Sequence, residues 1–365
     1  GFRVSPRGYI VTNFHVVAEL IYNPQQYYAE YLMDNGTKGN LELRAIDVIH
    51  DLALMKTNED TADYLALETR DPRKGDRLYA FGNPHDLGLT IIEGTYNGLM
   101  EKSIYDKIHF TGSINPGMSG GPTINDQGRV IGVNVATAGN QLSFLVPVKY
   151  VSALLENASK DPEQQRNFTF SARNQLLDNQ ENYINQLLSN PFEQVEMQNY
   201  LVPGQLASFL SCWGDTQQND GALYEWAYQS CSTSDDLFLS ENQSSGAISF
   251  THEIFNTKEL DPIRFYGFLQ RRFQAFRPHQ LAEENMVTNF ACETSFVEHN
   301  QIQSKVVFCL RAYKLFDGLF DTFMKISSLT HADAVLQSTL TIAGVSFENA
   351  MQLSGTFLNS IRWKN

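Results

Sequence analysis

Long apolar runs are missing from this sequence of 365 residues. No window approaches the roughly 18 to 20 apolar residues that a helix needs to span a bilayer, so no membrane span is expected. Internal repeats and low-complexity tracts are missing too. With 42% hydrophobic and 19% charged residues the composition is that of a globular protein. The length favours two domains, because single cores usually stop growing near about 250 to 300 residues.

Positive charge is scarce in the chain. It has 27 Lys and Arg against 41 Asp and Glu, which gives a net charge of −14. The phosphates of a nucleic acid would be repelled by this charge, so no nucleic-acid partner is expected. An export signal is also not visible. Gly1–Val4 already has the pattern of a strand, so we expect the chain to begin inside a domain whose first strands are missing.

Cysteine is absent from the first 211 residues and occurs only at Cys212, Cys231, Cys292 and Cys309. No C-x-x-C spacing occurs, so a metal site is disfavoured. An even number confined to one part of the chain suits two disulfides in an oxidising compartment, with three possible connectivities. We favour sequential pairing, Cys212 with Cys231 and Cys292 with Cys309. Four free buried thiols in a reducing compartment are the alternative.

What the sequence does contain is a serine enclosed by glycine and proline. Residues 113–122 read Ser-Ile-Asn-Pro-Gly-Met-Ser-Gly-Gly-Pro and place Ser119 in this loop. Glycine permits backbone angles that other residues avoid, and proline stiffens the chain. Such a loop can aim N–H groups at a point beside the hydroxyl, as acyl transfer requires. The N–H groups of Gly117 and Ser119 are the candidate oxyanion hole; an ordinary surface turn is the alternative.

A serine nucleophile needs a histidine and a carboxylate, and both occur upstream. His15 follows the β-branched run Tyr9-Ile-Val-Thr, and Asp51 precedes Leu-Ala-Leu-Met-Lys. The loop also satisfies the G-x-S-x-G elbow of α/β-hydrolases. That elbow opens a helix and precedes its acid and histidine, whereas here a strand, a turn and a strand follow. The order His, Asp, Ser fits the chymotrypsin arrangement instead.

These segments resemble the trypsin-like serine proteases of the bacterial HtrA or Deg type, which have the chymotrypsin fold. The matching segments lie in the same order over roughly residues 1–155, less than half of the chain: Gly8–Val17, Asp51–Lys56, the run Phe-Gly-Asn-Pro-His-Asp-Leu-Gly at 81–88, and Ile114–Val135. The resemblance implies an all-β double six-stranded antiparallel barrel over residues 1–158. It implies no metal and no organic cofactor. We place a linker at 159–170, which is polar and aperiodic.

The resemblance also assigns site residues. It selects Asp51 over Asp47, because the family's acid stands immediately before the apolar strand. An acid at the head of a buried strand can be dry and fixed, so its charge can hold a histidine N–H and stabilise the imidazolium. We interpret Asp47 as a solvated loop acid. Met118 stands where the family usually carries asparagine, which leaves the resting state of the oxyanion loop open.

Substrate contacts are expected from two segments. Ser113 and Ile114 should form the pocket wall with the strand that contains Asn134, Val135 and Ala136, whose backbone could pair with an extended peptide. None of these residues is charged. The sequence therefore predicts small or medium apolar side chains at the cleavage site, and no preference for lysine or arginine.

Residues 171–365 do not resemble the PDZ module that often follows such a protease, and match no family that we can name. We expect an α+β domain. Helical periodicity predicts four segments: Asn174–Leu188, Gln205–Trp213, Ala222–Cys231 and the aromatic-rich Arg264–Phe276, whose rings we interpret as core. From Val287 the period becomes two. This predicts paired strands at Phe290–Val297 and Lys305–Tyr313, with Cys292 facing Cys309, then a strand at Leu336–Val345 and a helix at Phe347–Trp363.

The sequence thus predicts a serine endopeptidase that cleaves protein or peptide substrates through an acyl-enzyme, with His15, Asp51 and Ser119 as its catalytic residues. The alternative is a catalytically inert protein with a protease fold, whose C-terminal domain recognises a partner. The cysteines and the resemblance favour the periplasm or secretion from a bacterium. No oligomeric state is specified.

Overall fold

The computed structural model describes residues 1–33, 36–84, 87–137, 142–160, 167–217, 223–257, 259–275, 282–331 and 333–364. The chain forms two compact units. The first comprises Gly1–Leu176 and Leu237–Ser244, and the second comprises Leu177–Asp236 and Ser245–Asn365. The boundaries predicted at 158 and 171 stay predictions, and part of the predicted linker, 161–166, lies outside the described residues.

The first unit begins with a five-stranded antiparallel sheet. Its strands are β1 (Phe2–Arg3), β2 (Tyr9–Thr12), β3 (Ala29–Leu32), β4 (Lys38–Asp47) and β5 (Leu52–Lys56), in the order β1-β2-β5-β4-β3. Helix α1 (Phe14–Tyr22) follows β2. The apolar run of β5 is buried almost throughout, which fits its place at the centre of the sheet. In the described part of the chain this sheet has five strands rather than the expected six.

The second element is a closed antiparallel barrel of six strands. They are β6 (Arg77–Gly82), β7 (Thr90–Leu99), β8 (Ile108–Phe110), β9 (Pro122–Ile124), β10 (Val130–Thr137) and β11 (Ser143–Pro147), in the order β10-β11-β8-β7-β6-β9. Alternate residues of these strands fill the barrel, as the period of two requires. Its core includes Leu78, Phe110, Met118 and Leu145. The expected six-stranded barrel is therefore confirmed for this half.

Two helices follow the barrel. Helix α2 (Val148–Lys160) buries Val151, Leu154 and Ala158 against the first sheet. Helix α3 (Phe168–Leu188) contains the predicted helix 174–188 and begins six residues earlier. None of the helices described here is long and apolar enough to cross a bilayer.

The second unit is built on a seven-stranded antiparallel sheet. Its strands are β14 (Leu210–Gln217), β15 (Tyr224–Thr233), β18 (Ile248–Thr257), β19 (Ala291–His299), β20 (Ile302–Ala312), β21 (Phe320–Ser328) and β22 (Ala334–Val345), in the order β14-β15-β18-β22-β21-β20-β19. The second unit also has a three-stranded sheet of β12 (Gln194–Met197), β13 (Tyr200–Pro203) and β23 (Arg362–Trp363). Strands β16 (Leu237–Ser240) and β17 (Gln243–Ser245) form a two-stranded sheet, of which all but Ser245 belongs to the first unit.

Two of the predicted helices are wrong. The segments 205–213 and 222–231 contribute to strands β14 and β15, and Ala222 itself lies outside the described residues. Tyr224, Trp226 and Tyr228 alternate along β15 with a period of two, a pattern of large aromatic residues that favours strands. Short apolar runs do not separate helix from strand by periodicity alone. The two strands pair with Cys212 opposite Cys231.

The predictions for the C-terminal part of this unit agree better with the structure. Strands β19 and β20 pair with Cys292 opposite Cys309, and β22 contains the predicted strand. Helix α4 (Pro262–Ala275) buries Phe265 and Leu269 against the sheet, so part of its aromatic face is core. Helix α5 (Phe347–Ser360) ends earlier than predicted, and β23 follows it. Disulfides join Cys212 to Cys231 and Cys292 to Cys309, each across two neighbouring strands.

Candidate active site

Ser119 lies in the loop between β8 and β9, and the loop is fastened to strand β10. The N–H of Gly120 donates to the Asn134 carbonyl at 3.0 Å, and the Asn134 N–H donates to the Gly121 carbonyl at 2.9 Å. Gly120 has a φ of +74°, and a Cβ there would lie 2.2 Å from Thr12 Oγ1. A residue with a side chain cannot replace it without moving the loop.

The Asn134 side chain is buried and ties three segments together. Its Nδ2 donates to the carbonyls of Phe81 at 2.9 Å and Met118 at 3.1 Å, while its Oδ1 accepts from Thr123 Oγ1 at 2.6 Å. Its own N–H and carbonyl bond to the serine loop. The expected role of Asn134 in binding a peptide stays a prediction; in this structure both of its backbone groups bond to the serine loop.

Two N–H groups of the loop are the candidate donors of an oxyanion site. Within the described residues, the N–H groups of Gly117 and Ser119 have no hydrogen-bond partner, whereas the Met118 N–H donates to the Asn115 carbonyl at 3.0 Å. Gly117 has a φ of +92°, which glycine adopts without steric cost. The two candidate donors are thus not engaged by the fold. Gly117 is exposed and Ser119 is half-buried, so an acceptor on a substrate can reach this part of the loop.

Met118 stands where the resemblance implies an asparagine. Its side chain is fully buried and makes core contacts. It packs in the barrel with Ile114, Ile131 and Leu145. A Cβ at Gly82 would lie 2.6 to 2.7 Å from the Cα, Cβ and Cγ of Met118. The end of strand β6 can therefore approach the serine loop only because residue 82 is glycine.

Gly82→Ala should lower stability and activity together, because the added methyl meets backbone that cannot rotate away. We expect a loss of about 1 to 3 kcal/mol in the free energy of unfolding, as for other overpacked cores. Urea unfolding of both proteins measures it. Gly355→Ala is the control, since a Cβ on this helical glycine meets nothing within 4 Å; it should be neutral or slightly stabilising. Equal stability of Gly82→Ala and the parent would contradict the proposed contact.

His15 and Asp51 form a two-point contact. His15 lies in the first turn of α1, and Asp51 lies in the turn before β5 with a φ of +53°. Asp51 Oδ1 accepts from the backbone N–H of His15 at 2.9 Å, and Oδ2 lies 2.7 Å from Nδ1. Asn13 Nδ2 donates to the Asp51 carbonyl at 2.8 Å. The side chains of His15 and Asp51 are only 10% and 8% exposed.

The electrostatic environment of His15 favours its charged form overall. Burial opposes the charge, but the hydrogen bond to Asp51 and the charges of Asp51 and Glu241 outweigh it, so the pKa of His15 is raised above its usual 6.5. A carboxylate that holds one ring nitrogen also fixes the tautomer: Nδ1 carries the proton, and Nε2 keeps its lone pair.

Asp47, the rejected acid, has a different partner. Its Oδ1 accepts from the His50 N–H at 3.1 Å, and its Oδ2 lies 2.7 Å from His50 Nδ1. The His50 ring stacks on Tyr150 with 3.5 Å between centroids. Asp47 is thus half-buried and paired rather than a solvated loop acid. Of the two acids, Asp51 is the one that contacts His15.

The serine hydroxyl is turned toward strand β10. Ser119 Oγ donates to the Val135 carbonyl at 3.1 Å. Between the described residues Ser119 and His15 there is no hydrogen bond in this structure. Catalytic hydrogen bonds in unliganded enzymes are often long and tighten only with substrate. A change of the Ser119 χ1 rotamer would release the hydroxyl from Val135.

The predicted pocket residues differ in burial: one belongs to the barrel core, and others are half-buried. Ile114 is 3% exposed and belongs to the barrel core, so its expected place in the pocket wall stays a prediction. Its N–H donates to Ser143 Oγ at 3.0 Å. Ser113 and Val135 are half-buried, and Ala136 continues β10 beyond a bulge. The side chain of Ala136 lies outside the described part.

The comparisons with known proteins concern the same N-terminal part of the chain. The family model described as trypsin-like peptidase domain matches residues 1–133. A probable periplasmic serine endoprotease DegP-like of Chlamydia pneumoniae is 32% identical over 179 residues, which cover 46% of this chain and 36% of that protein. Human serine protease HTRA4 is 31% identical over 186 residues, covering 48% of this chain and 37% of that protein. Residues 1–133 thus match a trypsin-like peptidase domain, and the chain is similar there to serine proteases of the HtrA type.

The match to this peptidase domain is local. This chain spans 36% and 37% of the length of these two relatives. The crystal structure of the serine endoprotease from Yersinia pestis is 27% identical and covers 44% of this chain and 57% of that chain, with a TM-score of 0.39. The closed barrel and the family model together confirm the chymotrypsin-like barrel of the peptidase domain.

One part of the site was missed by the sequence. Phe238 lies against His15 with 5.5 Å between ring centroids, and the charge of Glu241 acts on the same histidine. Both belong to the segment Leu237–Ser244, which joins the peptidase unit although it lies far along the chain. Nothing in its composition indicates this contact, because the segment carries no motif.

Proposed function

We propose that the peptidase domain is a serine endopeptidase. Ser119 Oγ attacks the carbonyl carbon of a peptide bond, and His15 Nε2 takes the hydroxyl proton. The tetrahedral intermediate places its negative oxygen between the N–H groups of Gly117 and Ser119. As the C–N bond breaks, His15 returns the proton to the leaving amine. Water, deprotonated by the same nitrogen, then hydrolyses the acyl-enzyme and restores Ser119.

The observation that carries this proposal is the two-point contact of Asp51 on His15. A histidine held at its backbone N–H and at Nδ1 by one buried carboxylate turns Nε2 away from that carboxylate. The same carboxylate stabilises the imidazolium that forms when the serine proton arrives. Asp47 holds His50 through the same two contacts, so what distinguishes His15 is its place beside the serine loop: a Cβ on Gly120 would lie 3.0 Å from the backbone nitrogen of Asn13. The free N–H groups of Gly117 and Ser119 support the same reading.

For specificity, we propose a preference for small or medium apolar side chains before the cleaved bond. With Ile114 in the core, the residues that remain for the pocket are Ser113, the backbone at Val135 and Ala136. None of them carries a charge that could hold lysine or arginine. The backbone beyond the bulge in β10 remains the candidate strand for an extended peptide.

We further propose a periplasmic or secreted location. Relatives from Chlamydia pneumoniae and Bartonella henselae are called periplasmic, and both pairs of cysteines form disulfides. Disulfides form and persist in oxidising compartments. Protein or peptide substrates follow from the endopeptidase chemistry.

A fluorophosphonate probe tests the proposed chemistry, because it reacts only with an activated serine beside an open oxyanion site. We expect one adduct by intact mass, located by peptide sequencing on Ser119. The rate of labelling should be low where His15 is protonated and should rise through a pKa above 6.5, since Nε2 must be neutral to accept the proton.

The control is the same protein unfolded in urea, which should not react. An adduct at another serine would contradict the assignment. A folded parent that never reacts would favour the inert protease fold, in which the Ser119 to Val135 hydrogen bond persists.

A further inference from the structure

The segment Leu237–Ser244 belongs to the peptidase unit although the 60 residues before it, Leu177–Asp236, belong to the other unit. It contains β16 and most of β17, which pair as a two-stranded sheet. Leu237 and Leu239 are 4% and 0% exposed. The hydroxyl of Tyr22 donates to the Leu239 carbonyl at 2.6 Å. The segment is thus anchored on helix α1, the helix that carries His15.

Phe238 lies between these two buried leucines. Successive side chains of a strand point to opposite faces, so the leucines can anchor the strand while Phe238 points the other way. Its ring contacts the His15 ring at 5.5 Å between centroids with an interplanar angle of 54°. Tilted aromatic pairs at this distance attract each other. Phe238 is only half-buried.

The contact matters because Asp51 holds the imidazole at one edge only. A ring fixed through Nδ1 can still tilt about that hydrogen bond, which moves Nε2 relative to the serine. A second contact on the ring limits this motion. Misplacement of a catalytic group by about 1 Å can cost about 100-fold in rate.

Glu241 adds a charge to the same site. It is exposed at the turn of the segment, and its charge acts on His15 together with that of Asp51. Among the residues that the structure describes, these two carboxylates are the charged groups that act on the histidine. Because Glu241 is exposed, salt should screen its effect far more than that of Asp51.

We propose that Leu237–Ser244 completes the active site of the peptidase domain, with Phe238 as a positioning residue that holds the His15 ring for proton transfer. This inference rests on the proposed function. It makes the second half of the chain a contributor of site residues, so the chemistry of the peptidase domain depends on sequence that the family model does not include.

The test uses the full chain and measures peptide hydrolysis with kcat and KM separated. Phe238→Ala should lower kcat about tenfold to 100-fold and change KM less than about twofold, because substrate binding does not need the histidine ring fixed. Phe238→Tyr keeps the ring and should restore most of kcat. Phe268→Ala is the matched control: it removes a half-buried ring of helix α4 in the other unit.

A second variant tests the charge. Glu241→Gln removes a negative charge that favours the imidazolium, so the acid limb of the rate profile should move to lower pH. The shift should disappear near 1 M salt, where the Debye length is about 3 Å.

The possible failures are separable. A parent that neither hydrolyses peptide nor takes the fluorophosphonate probe refutes the proposed function and this inference with it. An active parent with unchanged kcat in Phe238→Ala refutes the inference alone. An increase in kcat would show that the segment obstructs substrate, and equal losses in Phe238→Ala and Phe268→Ala would show a structural role; both overturn the inference.

Discussion

Ser119→Ala should reduce hydrolysis of an unfolded protein substrate by a factor on the order of 10⁵ to 10⁶, because it removes the atom that forms the acyl-enzyme. The substitution deletes one hydrogen bond, from Oγ to the Val135 carbonyl, and leaves every backbone contact of the loop in place. The fold should therefore persist. Initial rates of release of labelled peptides, with an active-site titration of the parent, give the measurement.

Ser159→Ala is the matched control for this variant. Ser159 lies on helix α2, is exposed and donates to the Leu155 carbonyl at 2.8 Å, so the same atom and the same kind of hydrogen bond are removed far from the loop. It should hydrolyse substrate at the parent rate. Retention of more than a hundredth of the activity by Ser119→Ala would exclude Ser119 as the nucleophile.

The serine loop and the two residues expected to act with it could be predicted because their chemistry is local. Glycines at 117 and 120 stand where φ is positive, and an acid immediately before an apolar run stands at the start of a buried strand. Each signal is contained in about ten residues. The barrel could be predicted for the same reason, since its strands are short apolar runs separated by turn residues.

What could not be predicted depends on long-range contacts. The sequence neighbours of Ile114 suggest a place in the pocket wall, whereas its side chain belongs to the core of the barrel. Strands β14 and β15 read as helices because their apolar residues are spaced ambiguously, and only pairing with β18 settles the choice. The segment 237–244 carries no motif at all. The role proposed for this segment depends on its contact with helix α1, and no sequence pattern indicates that contact.

Asp51→Asn should lower kcat/KM about 10⁴-fold while leaving the fold intact. Asparagine has the same shape, and it tolerates the φ of +53° at this position better than most residues. Its Oδ1 can still accept from the His15 N–H. Its amide group, however, donates to Nδ1 where the carboxylate accepted. The proton of the neutral ring then moves to Nε2, which can no longer take the serine proton, and no charge remains to stabilise the imidazolium.

The chain supplies its own control four residues away. Asp47 holds His50 by the same two contacts, one to a backbone N–H and one to Nδ1, at 3.1 and 2.7 Å. Asp47→Asn makes the same chemical change in the same kind of pair, so any general cost of breaking an Asp–His contact appears in both variants. Only the additional loss of kcat/KM in Asp51→Asn measures the contribution of the contact to catalysis. Equal kcat/KM in the two variants would mean that the contact between Asp51 and His15 is structural, and that the proposed base acts without it.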